Sequence, residues 1–288
     1  MSNSFPILII TGRPAAGKSE VIDYLKKTER EERLRRFHIG DFEELDDFVY
    51  VWETFEIDDI LSKHGRPRIW TDEHYWFKDH FIWNLFIERI NLEYRKKLAR
   101  NPNYHDTTTT LIEFARGGEN GIYEALSYLH EDILSKACLM YIRVDYEESV
   151  RKNRRRARKG QEDSILYHSL PDEKMEFYYK INDWDKLEAA NPTHIAVKGF
   201  TIPYAVFENM PEKTLDPKLT GEELTRDMWT TAAPGETASP LASGFVPWTA
   251  LGSSLGWRKT STCSGVTRRS ASSRVMSPSF AMSTAIRT

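Results

Sequence analysis

Gly12, Arg13, Pro14, Ala15, Ala16, Gly17, Lys18 and Ser19 follow the spacing G-x-x-x-x-G-K-[ST]. Two glycines five apart let a backbone turn until its N–H groups converge on an anion, and a helix opening at the second adds partial positive charge. Lys18 then reaches the β- and γ-phosphates of ATP, and the Ser19 hydroxyl is offered to Mg²⁺. The eight residues are the candidate contacts for a nucleotide, with Ser19 the metal-facing one.

A phosphate held this way needs further groups before it can be transferred. After an apolar run comes "RFHIGDFEELDD", in which Asp41 is placed to take a proton from an attacking hydroxyl or to hold substrate. Glu43, Glu44, Asp46 and Asp47 read as the solvated face of a helix. Further on, "TTTTLIEFARGG" brings Glu113 to the end of a β-branched run, where a carboxylate orients Mg²⁺ through water or activates an acceptor. Which of Asp41 and Glu113 is the base stays open. Arg116 follows three residues later, before two glycines that allow close backbone approach. In "DYEESVRKNRRRARKG", Arg151, Arg154, Arg155 and Arg158 recur at steps that place several on one helical face. Arginine forks match the equatorial oxygens of a phosphoryl group in transfer, which suggests a lid.

Positioning these groups is the work of alternating elements. Strand signals fall at Ile7–Thr11, Leu34–Ile39, Thr109–Phe114, Cys138–Val144 and His194–Val197, with helical stretches at about 17–30, 43–62, 73–100, 120–136, 146–160 and 172–189. Alternation of this kind predicts an α/β fold: a five-stranded, mainly parallel sheet with helices on both faces and its site at the carboxyl ends of the strands. Residues 73–100 read as one long helix. Trp70, Tyr75, Trp76, Phe77, Phe81, Trp83 and Phe86 make its start the most aromatic part of the chain, either a core or a wall for a flat acceptor. Residues 1–228 are expected to form one domain, with an insertion at about 43–105 and a lid at about 146–170. Residues 229–288, rich in Ser, Thr and Ala without apolar periodicity, are expected to be a low-complexity tail.

Composition narrows the partners. The net charge of −3 understates how acidic residues 1–228 are, because six basic residues and only Glu236 among the acids follow Met228. That balance argues against broad nucleic-acid binding. The start "MSNSFP" has no signal-peptide pattern, no apolar run is long enough to span a membrane, and two cysteines form no disulfide framework; a cytoplasmic protein is expected.

The order of phosphate loop, Asp after strand two, Glu and Arg after strand three, and arginine helix after strand four resembles the P-loop kinases of nucleotides and other small molecules. It is similar to the adenylate-kinase-like group over about residues 5–210. The resemblance implies a three-layer P-loop NTPase fold and an ATP- and Mg²⁺-dependent kinase acting on a small-molecule acceptor, nucleosides and nucleotides included. It further implies that the arginine helix closes over ATP, that the insertion binds the acceptor, and that "GFTIPY" at 199–204 lies against the adenine. The Asp-Gly-x-Pro-Arg pattern of adenylate kinase is missing, and "IEFARGG" only approximates the Asp-Arg-Tyr/Ser of deoxynucleoside kinases. A nucleotide-dependent regulatory ATPase or switch that signals to a protein partner is the alternative reading.

Overall fold

The structure, a computed structural model, describes residues 4–156 and 169–228. Arg158, the later part of the expected lid and the expected tail lie outside the described residues.

The strands are β1 (Ile7–Gly12), β2 (Asp41–Asp46), β3 (Thr108–Phe114), β4 (Ala137–Arg143), β5 (His194–Val197) and β6 (Phe200–Glu208). They form one sheet in the order β2-β3-β1-β4-β6-β5, parallel throughout except for the antiparallel β5–β6 pair at one edge. Parallel neighbours require crossovers. These are supplied by α1 (Lys18–Lys27) and α2 (Arg30–Phe37), then α3 (Asp47–Lys63) and α4 (Ile82–Arg100). After β3 come α5 (Gly121–Tyr128) and α6 (Glu131–Leu134); after β4 come α7 (Tyr146–Arg156), α8 (Asp172–Tyr179) and α9 (Trp184–Ala190). A last helix, α10 (Pro217–Met228), follows β6.

β1 is buried along its whole length, and its alternation divides the core in two. Ile7 and Ile9 join Ile87, Ile90, Tyr94 and Trp184 on one face of the sheet. Leu8 and Ile10 join Val21, Ile22, Leu25 and Leu224 on the other. The expected three layers are therefore present. Trp184 anchors the first face, stacked on Tyr141 at 3.9 Å between centroids and edge-on to Tyr204 at 4.9 Å. Trp184→Ala should lower stability by about 3–5 kcal/mol, read as a shifted urea midpoint at unchanged slope.

The structure corrects several sequence expectations. The second strand is not Leu34–Ile39 but β2. The buried guanidinium of Arg33 bonds the carbonyls of Leu25, Thr28 and Gly40, holding α2 as a helix between α1 and β2. The helix expected at 73–100 begins only at Ile82. Before it, the Asp58 carboxylate collects the N–H groups of Ile69, Trp70 and Thr71, and Asp72 accepts from His74 and Trp76 N–H, so these donors serve a loop rather than a helix. A sixth strand exists because Lys198 and Gly199, both at positive φ, turn β5 back into a hairpin. "GFTIPY" thus lies in that turn and in β6.

Candidate active site

The eight-residue motif falls where its chemistry needs it, between the carboxyl end of β1 and the first turn of α1. A side chain at Gly12 would bring its Cβ to 2.7 Å from the Ile142 carbonyl oxygen, and one at Gly17 to 2.6 Å from Asn209 Nδ2. Gly17 also has φ 118°, a left-handed conformation natural to glycine. The loop's carbonyls are held by the protein. That of Arg13 accepts from the Ala16 N–H and Lys18 Nζ, that of Pro14 from the Ser149 hydroxyl at 2.6 Å, and that of Ala16 from Asn209 Nδ2 at 2.6 Å. Arg13 itself reaches outward and donates to the carbonyls of Val144, Tyr179 and Lys180. Ser19 is exposed on the first turn of α1.

Asn209, just past β6, is buried. Its Oδ1 accepts the N–H groups of Lys213 and Thr214, while Nδ2 donates to Ala16 and to the Thr214 hydroxyl. No sequence signal marked it, because a lone Asn beyond a strand resembles any turn residue. Asn209→Ala leaves the Ala16 carbonyl without its donor and should destabilise by about 1–3 kcal/mol, checked by thermal or urea unfolding.

Parallel pairing sets Asp46 at the carboxyl end of β2 directly across from Glu113 of β3, and Asp47 opens α3 beside them. Lys18 is buried, with Nζ 3.9 Å from Glu113. Burial pulls the Lys18 pKa down, opposed by the charge of Glu113. Burial pushes Glu113 up against the pull of Lys18, and pushes Asp47 up against that of Arg116. Asp46 is raised to about 7, by burial first and then by the charges of Glu113 and Asp47. One Asp46 oxygen caps α3 by accepting the Phe48 N–H at 2.9 Å.

Of the expected site residues, Lys18 and Glu113 come together, Arg116 joins them through Asp47, and Asp41 does not. Asp41 starts β2, across from Thr108 at the amino end of the sheet, and there pairs with Arg30 at 3.0 Å in an exposed setting. The carboxylates near the loop on β2 and α3 are Asp46 and Asp47, which are drawn in by the β2–β3 register and the start of α3 rather than lying on a solvated helix face. Glu43 and Glu44 do pair with surface lysines, Lys97 and Lys26. The sequence signal for Asp46 was its place as an N-cap before the apolar helix that starts at Asp47.

Arg116 is 6% exposed. It gives Nη1 to Asp47 Oδ2 at 2.5 Å and to its neighbour's carbonyl, and Nη2 to the Trp83 carbonyl at 2.9 Å. Its anionic partner is Asp47, not Glu113. Along α7, Arg151 pairs with Glu148, Arg154 with Asp172 and Arg155 with Glu212, all exposed arginines facing protein carboxylates. Arg156 is the member that turns toward the loop: it bonds Glu20 on α1 at 2.9 Å, and its charge is felt by both Lys18 and Glu113.

A cavity of about 210 Å³ opens beside Arg116, between the start of α4, the turn after β3 and the end of α8. Trp83, Asn84, Glu124, Phe177 and Tyr178 line it with Arg116. The aromatic stretch is therefore divided. Phe55, Phe77 and Phe86 pack a satellite core, while Trp83 gives a cavity wall. Among the described residues, no three His, Cys, Asp or Glu side chains are grouped to hold a metal ion, and no helix is long and apolar enough to cross a membrane.

No protein-family model and no curated protein matches the chain. Among solved structures, TT1252 from Thermus thermophilus is similar at 14% identity and a TM-score of 0.38, over 76% of this chain and 94% of that one. The shikimate kinase of Acinetobacter baumannii in complex with shikimate is similar at 16% identity and a TM-score of 0.32, over 65% and 78%. A sugar kinase from a Janibacter species is similar at 12% and 0.33, over 76% and 95%. At these values the likenesses lend no weight to a function, and no family is assigned. The α/β sheet and the loop geometry stand on the structure alone.

Proposed function

We propose that the protein is an ATP-dependent phosphotransferase that moves the γ-phosphoryl group of ATP to a small-molecule acceptor. The observation that carries this reading is the opening of the glycine-bounded loop onto Lys18, Glu113 and Asp46, with the Asp47–Arg116 pair linking that group to a cavity. Carboxylates alone would also serve a loop that only held Mg²⁺ and a nucleotide; the cavity is what an acceptor adds to that need.

In this reading the loop's N–H groups face the β- and γ-phosphates, its carbonyls being engaged by Lys18, Ser149 and Asn209. Lys18 adds the positive charge that the γ-phosphoryl oxygens require. An acceptor hydroxyl attacks phosphorus while its proton passes to the Asp46 carboxylate. The new P–O bond forms as the bond to the β-phosphate oxygen breaks, and ADP leaves. Asp46 suits the proton because its pKa is near 7, where a general base is most effective. Arg156 is the arginine that meets charge on the transferring group once it exchanges Glu20 for phosphate oxygens. A hard oxygen donor exposed at the first turn of α1 fits Mg²⁺, which Ser19 would hold together with the nucleotide. When bound, Mg²⁺ neutralises phosphate charge.

The test is incubation with γ-labelled ATP, Mg²⁺ and pools of metabolites, nucleosides, nucleotides and oligonucleotides. Label on a small acceptor supports the proposal. Label released only as free phosphate favours the regulatory ATPase, and label on oligonucleotides alone overturns the small-molecule reading.

A further inference from the structure

The cavity beside Arg116 has two charged side chains in its wall, and only one of them is compensated. Arg116 and Glu124 carry the fixed charges among the residues that line it. The Arg116 guanidinium is neutralised by Asp47, and its Nη atoms also serve the carbonyls of Ala115 and Trp83. Nearby backbone donors are engaged too. The N–H groups of Ile122 and Tyr123 at the start of α5 go to the Asp183 carboxylate, and that of Gly118 goes to the Ile181 carbonyl. Glu124 differs. Its Oε1 accepts from Asn84 Nδ2 at 2.7 Å, while among the described residues Oε2 accepts nothing and no cationic side chain pairs with it. Asn84 is 6% exposed, and with Nδ2 given to Glu124 its Oδ1 is left accepting no hydrogen bond either. Neither oxygen is sealed from solvent, so a donor in the cavity can reach both.

The ring walls suit the charge that these oxygens call for. Tyr178 packs edge-on against Trp83 at 5.4 Å and against Phe177 at 4.9 Å, and Phe177 is 71% exposed at the rim. Aromatic faces attract a cation through the ring quadrupole. Trp83 already has one, the Arg116 guanidinium at 5.1 Å. Among the described residues, Tyr178 and Phe177 have no cation over their faces. A positive ligand with N–H donors therefore satisfies both kinds of wall. An anion would meet the Glu124 charge instead, with Arg116 already spent on Asp47. A quaternary ammonium would use the rings but leave both oxygens without a donor.

We infer that the cavity binds a protonated amine, which donates to Glu124 and Asn84 and sets its charge against the rings of Tyr178 and Phe177. Joined to the phosphotransferase reading, on which this sentence alone rests, the acceptor is an amino alcohol whose ammonium anchors it and whose hydroxyl receives the phosphoryl group. The full chain, without ATP, is titrated calorimetrically with benzylamine, benzyl alcohol, benzyltrimethylammonium and phenylacetate. Benzylamine is expected to bind at least about tenfold more tightly than each of the other three, the ratio one charge-assisted hydrogen bond supplies. Glu124→Gln keeps an oxygen for Asn84 and removes the charge. It should retain the parent's urea midpoint and lose the advantage of benzylamine over benzyl alcohol. No binding of benzylamine, equal binding of benzyl alcohol, or an advantage that survives in Glu124→Gln overturns the inference. So does benzyltrimethylammonium or phenylacetate binding as tightly as benzylamine. If the variant does not fold, the parent's ranking of the four ligands decides alone. A protein that prefers benzylamine but transfers no label fails the phosphotransferase reading alone. One that labels an acceptor without preferring benzylamine fails this inference alone.

Discussion

Lys18→Met should reduce phosphoryl transfer by about 10²–10³ or more while leaving the protein folded. The size follows from removing a preorganised charge at the point where negative charge moves in the transition state. Preservation of the fold follows from burial. Lys18 is 6% exposed, and burial already disfavours its charged form. A methionine of similar length gives up only the ammonium and its bond to the Arg13 carbonyl. Glu113, raised by burial, can take up a proton when its cationic neighbour is lost. The unfolding midpoint should therefore stay within about 1 kcal/mol of the parent protein. Transfer by Lys18→Met at the parent rate, measured with labelled ATP and an identified acceptor, would sink the mechanism.

Asp46→Asn should remove a pH limb as well as activity. The reaction needs Asp46 ionised, so kcat/KM of the parent should climb with pH and level off above about 7. The variant should lack that climb and fall about 10²–10⁴-fold. Stability should move the opposite way. The folded-state pKa of Asp46 is raised from its ordinary 3.8 to about 7, so between those values the folded protein keeps a proton that the unfolded chain has released. This group's contribution is therefore fully present below about pH 4, declines as pH rises, and is lost above about 7. Asparagine still caps α3 through its side-chain oxygen but does not titrate. The variant's stability relative to the parent should accordingly rise from pH 4 to 7 and then stay level. A parent activity profile flat from pH 5 to 8 would remove Asp46 as the base.

How far the sequence could be read depended on whether its cues were local. The strand–loop–helix from Ile7 to Lys27 was legible because hydrophobic burial, glycine placement and helix spacing agree within twenty-one consecutive residues. β2 was not. It has a single neighbour at the sheet edge and buries only Leu45, so "DFEELD" shows none of the apolar character used to recognise parallel strands. The apolar positions just before it, Phe37 and Ile39, face the core from the end of a helix and the turn after it. That shift put the second strand's candidate carboxylate at Asp41, at the amino end of the sheet, whereas the carboxyl end carries Asp46. The positions of Glu113 and Arg116 at the end of β3 were legible because its apolar run is unambiguous, but Arg116's partner was not, since Asp47 lies 69 residues away along the chain. The arginine helix was legible as a helix; its charges were not legible as four surface pairs, only one of which touches α1.

Arg13 gives the site a property that neither the loop nor the cavity has alone. It belongs to the loop, yet its guanidinium fastens to the carbonyls of Tyr179 and Lys180 at the end of α8, beside the Tyr178 wall of the cavity. The loop and the cavity wall therefore share one strut. Whatever factor a nucleotide applies to the affinity of the cavity, a cavity ligand must return to the nucleotide, since linkage is reciprocal. Arg13→Ala should reduce that factor, with the link through the Asp47–Arg116 pair left in place.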